Sequence, residues 1–340
     1  MKTKKIKLGL MGFGEVPRHI YRLCLNDDRI EVVAIGEIGK PEILHYLLQA
    51  ESKEKLDVEL EGNFLVSKNR KARFVHAVKP GDVPWDMFDV DVVVDGTAKY
   101  KTKEFMEQHL NAGAKRVILS NLPENDIDRV VIIGVNDHSI KATDKLISAG
   151  SATTNATAIM LKILEENFGV DYAMLTTVHS YTSDQPLRDK AGDDFRRSRS
   201  AAENIIPNKT PSPEWIQKIM PEFKGKIGGS ALNVPVPNGS LLDLTTVLKM
   251  HDVSVDDINK AVENAAPKLK NIIEVVNDPI VSTDVIGNSH SVVFDKRATM
   301  HSPFRMVKTL TWYHAALAMA ARVIDVIHAY DKIDNKGGVK

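Results

Sequence analysis

The chain has 340 residues, 43% of them hydrophobic, so it is longer than one ordinary domain and apolar enough for two packed cores. Lys plus Arg and Asp plus Glu each number 45, and the formal charge of zero leaves no field to draw the protein to nucleic acid or an anionic membrane. The single cysteine, Cys24, excludes an internal disulfide and a multi-cysteine metal site and fits a reducing cytoplasm, and no stretch is long and apolar enough to span a bilayer.

The basic start KTKKIKLGLMGFG reads as a first strand rather than a signal peptide. Its apolar run, 5–11, breaks at Gly12 and Gly14, and Val16, Ile20 and Leu23 then recur at helical spacing. Cys24 falls on that helix and is expected to be buried. Apolar runs at 32–35, 92–94, 117–119 and 130–135 alternate with polar or helical segments, which predicts a mainly parallel sheet. After Gly150 the pattern changes to a helix over 154–167, a strand over 172–178 and a polar loop over 183–199. Strands follow at 230–236, 241–249, 291–295 and 306–313, with a helix over 255–268 that Ser254 caps. This second part is α+β with a mainly antiparallel sheet. A last helix from 314, apolar on much of its surface, is expected to pack across the first domain.

The first strand–helix turn reads Gly12-Phe13-Gly14-Glu15-Val16-Pro17. A G-x-G-x-x-G turn here lets the backbone approach a pyrophosphate, while the helix N-terminus offers free N–H donors and a positive dipole. Two glycines are present. Pro17 stands at the third, where it fits a first helical turn but adds bulk between strand and helix. Glu15 would repel a phosphate unless it turns to solvent or pairs with Arg18. Glu37 ends the second strand roughly 20 residues on, where a ribose-binding acid belongs, so a bound dinucleotide would be NAD rather than NADP. The expected division is a Rossmann-type dinucleotide-binding domain, 1–150 plus the helix 314–335, and a catalytic domain, 151–313.

Ser151-Ala152-Thr153-Thr154-Asn155 and Thr176-Thr177-Val178-His179-Ser180-Tyr181-Thr182-Ser183-Asp184-Gln185 closely resemble the catalytic segments of phosphorylating glyceraldehyde-3-phosphate dehydrogenases, whose first motif reads S-C-T-T-N. The resemblance extends through 196–202, Val234-Pro235-Val236-Pro237-Asn238, Asp243-Leu244-Thr245, Ser289-His290-Ser291 and Trp312-Tyr313. In the first domain it includes 113–118, Gly134-Val135-Asn136 and Asp95-Gly96-Thr97-Ala98.

By this resemblance Gly12, Phe13, Gly14, Glu15, Val16, Glu37 and Thr97 are cofactor positions. His179 matches the histidine that activates a cysteine thiol and stabilises the oxyanion. In the family the thiolate adds to an aldehyde, hydride passes to nicotinamide and phosphate cleaves the thioester. The thiol's position is Ala152, whose methyl group has no lone pair, and Cys24 lies on no matching motif. Asn233 stands where the family has an arginine for the substrate phosphate, a neutral amide in place of a bidentate cation. Thr182, Asp184 and Arg199 match positions that hold that phosphate or shape its pocket. Ser151, Thr153 and Thr210 match the inorganic-phosphate site, although Pro211 replaces a glycine there. Ala315 replaces the asparagine that anchors the carboxamide, and Met319 a nearby tyrosine.

Two readings of Ala152 stand: a deliberately replaced nucleophile, or natural loss of the activity. Simultaneous change at the pyrophosphate turn, the nicotinamide anchor and the phosphate arginine favours natural divergence. The function implied is an NAD-dependent, aldehyde-oxidising oxidoreductase, inactive as written. The alternative is a non-catalytic paralogue serving as a binding or assembly subunit. The ligand is a small aldehyde or phosphorylated metabolite, with no metal, nucleic acid or membrane partner. The resemblance also implies a cytoplasmic homotetramer built through the second sheet and the loop 183–203.

Overall fold

A computed structural model of the chain describes residues 5–52 and 54–336. The chain divides into two compact units, Met1–Gly150 with Met319–Lys340, and Ser151–Ala318.

The first unit is built on a nine-stranded sheet. In chain order its elements are β1 (Ile6–Met11), α1 (Glu15–Leu25), β2 (Ile30–Glu37), α2 (Pro41–Ala50), β3 (Glu59–Glu61), β4 (Phe64–Ser67), β5 (Arg70–His76), β6 (Val92–Asp95), α3 (Lys103–Asn111), β7 (Arg116–Leu119), β8 (Arg129–Val130) and β9 (Leu146–Ser148). Strand order is β3-β4-β5-β2-β1-β6-β7-β9-β8, parallel from β5 to β8, with β3 and β4 added as an antiparallel hairpin edge. Leu8 and Leu10 are fully buried, as befits a central strand covered on both faces. The order reverses at β1, with β2 on one side and β6 on the other, and the carboxyl ends of these strands define the crevice where doubly wound sheets bind ligands.

The apolar run 130–135 is a strand only as far as Val130. Beyond it, Asn136 takes over the ladder groups, accepting from the Ile132 N–H at 2.7 Å and donating to the Val130 carbonyl at 2.8 Å. This closes a turn through Gly134 at φ 85°, while Val131 and Ile132 stay buried.

The second unit contains α4 (Ala152–Phe168), β10 (Val170–Ser180), β11 (Ile206–Asn208), α5 (Ser212–Ile219), β12 (Ile227–Val234), β13 (Ser240–Leu248), α6 (Val255–Ala265), β14 (Ile273–Val276), β15 (Val292–Asp295), β16 (Met300–Ser302) and β17 (Met306–Tyr313). The last helix, α7 (Ala315–Lys336), begins here and passes into the first unit at Met319. The sheet order is β11-β12-β10-β13-β17-β15-β14, with β16 on β17. Pairing is antiparallel except between β10 and β12 and between β14 and β15, so the fold is the expected combination of a Rossmann unit and a mixed, mainly antiparallel one. Helix α4 packs on β10, β13 and β15 and is buried along most of its length. Ser254 and Asp257 form a reciprocal capping box at the start of α6.

Candidate functional site

In the first unit the crevice is framed by three strand ends. Gly12 has φ 86°, and a side chain there would press on Thr97, whereas Gly14 is exposed and has no atom within 4 Å of where its Cβ would lie. The turn is therefore open at the start of α1, where the first-turn N–H groups have no helical partner. Pro17 is buried in that first turn, and its ring occupies the space that a side chain on Gly96 would need. The bulk of the proline is thus matched by the bare backbone opposite.

Glu37, at the end of β2, accepts from the Phe13 N–H at 2.7 Å and from the Ile38 N–H at 2.8 Å, which fixes its carboxylate beside the glycine turn. Arg18 does not reach Glu15. It pairs with Glu51 and donates to the Phe13 carbonyl at 2.7 Å, while Glu15 is exposed. Val16 is half-buried next to it. Thr97 follows the end of β6, its N–H and hydroxyl both donating to Asp95 Oδ1, at 2.9 and 2.6 Å. Cys24 is buried on α1, and burial, with the charge of Asp27, pushes its thiol well above the ordinary range.

In the second unit, Ser151 caps α4, its Oγ accepting from the Thr154 N–H at 3.1 Å. Ala152 is the first helical residue, 7% exposed, at the positive end of the helix dipole. His179 lies next to the end of β10, and its Nδ1 donates to the Ser180 carbonyl at 2.6 Å, which leaves Nε2 as the unprotonated nitrogen. Burial lowers its pKa below the ordinary imidazole value, so the neutral form is favoured.

Tyr313 joins these two positions. Its hydroxyl lies 2.9 Å from Thr153 Oγ1, beside Ala152, and 2.7 Å from Thr177 Oγ1, while its ring meets that of His179 edge-on at 6.3 Å. No role for Tyr313 follows from the sequence. The available signal is that a tyrosine ending a buried strand must find partners for its hydroxyl.

The strand register sets Asn233 opposite His179. Asn233 is buried, donates to the Ser180 carbonyl at 3.4 Å and accepts from Asn208 at 3.3 Å, so one carbonyl receives both the amide and the imidazole. The other positions expected to hold an anion also have partners within the chain. Thr182 donates to Asp184 at 2.5 Å, Asp184 pairs with Arg197, and Arg199 pairs with Asp189 at 2.9 Å. Thr210 and Thr154 both donate to Ser212 Oγ, at 3.1 and 2.9 Å, which links the first turns of α5 and α4. Ala315, the first residue of α7, presents only a methyl group.

A doubly wound unit with a glycine turn at its switch point, and a second unit in which Tyr313 links a half-buried histidine to the first turn of a helix, are the arrangement on which nicotinamide-dependent oxidoreductases are built. The family model "Glyceraldehyde 3-phosphate dehydrogenase, NAD binding domain" matches residues 6–103, and "Glyceraldehyde 3-phosphate dehydrogenase, C-terminal domain" matches 151–315. Glyceraldehyde-3-phosphate dehydrogenase of Borreliella burgdorferi is 37% identical over 331 residues, covering 94% of this chain and 98% of that protein. Glyceraldehyde-3-phosphate dehydrogenase 1 of Bacillus subtilis is 38% identical over 326 residues, covering 94% and 97%. That of Mycobacterium avium is 38% identical over 333 residues, covering 95% and 97%. The chain belongs to the glyceraldehyde-3-phosphate dehydrogenase family. No helix among the described residues is long and apolar enough to cross a membrane.

Proposed function

We propose that this protein binds NAD in its first unit and, in its second, retains the setting of its family's acyl-transfer chemistry without the atom that performs it. The observation that carries this reading is Ala152. It occupies the first position of a helix whose neighbour Thr153 is tied through Tyr313 to His179, and no thiol stands there. His179 is suited to accept a proton at Nε2, but position 152, which in the family supplies that proton, carries only a methyl group. Cys24, protonated and in the other unit, does not substitute.

The dinucleotide reading rests on the open turn at Gly14 and on the fit of Pro17 against Gly96. Gly12, Phe13, Gly14 and Val16 would cradle the pyrophosphate. Glu37 would hold the ribose hydroxyls and repel a 2′-phosphate, which favours NAD over NADP. When bound, NAD supplies the hydride acceptor. Thr97 would line the same pocket, and Ala315 leaves the carboxamide without its usual amide partner.

The ligand is a small aldehyde or a phosphorylated metabolite. Its phosphate is weakly held, because Asn233 carries no charge and Thr182 and Arg199 are engaged by Asp184 and Asp189. Ser151, Thr153 and Thr210 keep a hydroxyl-lined remnant of the second anion site. The exposed apolar residues Tyr172 and Met174 on β10 and Met306 on β17 support a homotetramer assembled through that sheet, in the cytoplasm.

A second reading, a natural non-catalytic subunit kept for binding or assembly, is favoured by the joint change at Ala152, Asn233 and Ala315. The test is to measure NAD binding by calorimetry and aldehyde-dependent NAD reduction, in the chain as it stands and in Ala152→Cys. Binding without turnover, with turnover gained by the cysteine, supports an oxidoreductase lacking only its nucleophile. Binding with no turnover in either supports the non-catalytic subunit. Turnover by the unaltered chain, or no binding of NAD, overturns the proposal.

A further inference from the structure

We propose that Trp85, His109 and Asp95 form a buried positioning chain that holds the Asp95–Ala98 turn in the shape NAD binding requires. This rests on the dinucleotide reading of the first unit. Trp85 and His109 are fully buried and Asp95 is 2% exposed, so three polar groups stand in a row inside an apolar core that includes Met11, Ala34 and Val93.

The direction of the chain follows from chemistry. The indole N–H can only donate, and it lies 3.0 Å from His109 Nδ1, so that nitrogen is the acceptor and the ring proton sits on Nε2. Nε2 lies 3.3 Å from Asp95 Oδ2 and donates to it. The other oxygen, Oδ1, receives both the N–H and the hydroxyl of Thr97. The carboxylate therefore faces a buried neutral donor on one side and the turn on the other.

That turn needs to be held. Ala98 adopts φ 57°, a left-handed conformation that a residue with a side chain disfavours. Gly96 N–H donates to the Met11 carbonyl at 2.8 Å, and the backbone and methyl of Thr97 lie against Gly12. The turn is thus one wall of the glycine loop. Packing alone does not call for a histidine at 109, since an aromatic hydrocarbon would fill the same volume. What only the imidazole supplies is an N–H aimed at Asp95 and an acceptor aimed at Trp85.

The test uses the full chain with NAD itself, together with nitrogen-detected NMR of 15N-labelled histidine. In the unaltered protein His109 is expected as a single tautomer with its proton on Nε2, and Trp85→Phe should release it into a mixture. Thr97→Val and His109→Phe should each weaken the NAD dissociation constant roughly tenfold. The double variant His109→Phe/Thr97→Val should bind no worse than the weaker single, because both cut one chain. Should His109→Phe fail to fold, Trp85→Phe decides the matter, since it removes the donor to His109 without touching a cofactor position: a mixed tautomer with weakened NAD binding supports the chain, and an unmoved tautomer overturns it. A proton found on Nδ1, or variants that all bind NAD like the parent, overturns this inference alone. An unaltered chain that binds no NAD takes the dinucleotide reading down with it.

Discussion

The turn around Gly12 and the pocket around His179 each carry a residue that the chemistry expected there does not call for, and the two cases differ in kind. At the turn the change is one of shape: Pro17 brings bulk to a place meant for a small residue, and Gly96 opposite has no side chain to collide with it. At the pocket the change is one of bonding: Thr153, Thr177, Tyr313 and His179 remain in contact, but Ala152 has no electron pair and no neighbour can lend one. Volume can be shared out among neighbours; a nucleophile cannot.

The sharpest way to test that contrast is to put the atom back. Ala152→Cys places a thiol at the first residue of α4, whose neighbour Thr153 is linked through Tyr313 to His179, and where the helix dipole favours the thiolate. It should be alkylated by iodoacetamide at neutral pH at least about 100-fold faster than Cys24, whose thiol is buried and shifted upward. Adding His179→Asn should slow that labelling roughly tenfold. Peptide mass spectrometry of the labelled chain distinguishes the two cysteines, and equal labelling would mean that the pocket no longer activates a thiol.

The complementary experiment breaks the shape match. Gly96→Ala should destabilise the chain by about 1–3 kcal/mol, because the new methyl overlaps the Pro17 ring. Pro17→Ala in the same chain should recover most of the loss, and this non-additivity is the signature of a direct contact. Denaturant unfolding measures both. A Gly96→Ala chain as stable as the parent would show that the proline is not accommodated by the glycine.

Much of this contrast is readable in the residues themselves. The strand–turn–helix opening, the position of Glu37 and the cap at Ser254 follow from local spacing and are where they are expected. Helix α2 is not legible in this way. Only Leu44 and Leu48 are buried in it, while Ile43, Tyr46 and Leu47 face solvent and blur the helical period. The hairpin edge of β3 and β4 is equally hidden, because its strands have only three and four residues. In the site, residue identity shows that positions 152 and 233 carry neither a thiol nor a cation, but not what their neighbours do. The Trp85–His109 contact spans 24 positions, the Asn208–Asn233 pair 25, and the tie from Thr153 to Tyr313 spans 160. No local pattern encodes such pairs.

A smaller effect probes the cofactor side of the comparison. Glu37 is held by two backbone N–H groups beside the turn, so its charge is fixed where a 2′-phosphate would come to rest. Glu37→Gln keeps acceptors for those donors and removes the repulsion, and should shift the NAD/NADP affinity ratio toward NADP by about tenfold. Calorimetric titration with each dinucleotide reads the ratio, and an unchanged ratio would place the ribose elsewhere.

The smallest effect concerns the half-buried imidazole of His179. Its pKa in the folded chain lies below the ordinary 6.5, first because burial penalises the charged ring, against which the Ser180 carbonyl and the charge of Asp184 act only partly. Below that ordinary value the unfolded chain takes up the proton and the folded chain does not. Stability therefore falls as the pH drops from 6.5 toward the folded value, and the contribution is flat above 6.5. His179→Gln keeps a donor for the Ser180 carbonyl but cannot titrate. The stability difference, parent minus variant, should accordingly shrink between neutral and mildly acidic pH. Thermal unfolding of both chains across that range measures it, and a difference that grows toward acid would mean that the folded pocket welcomes the imidazolium, as a site still charged for catalysis would.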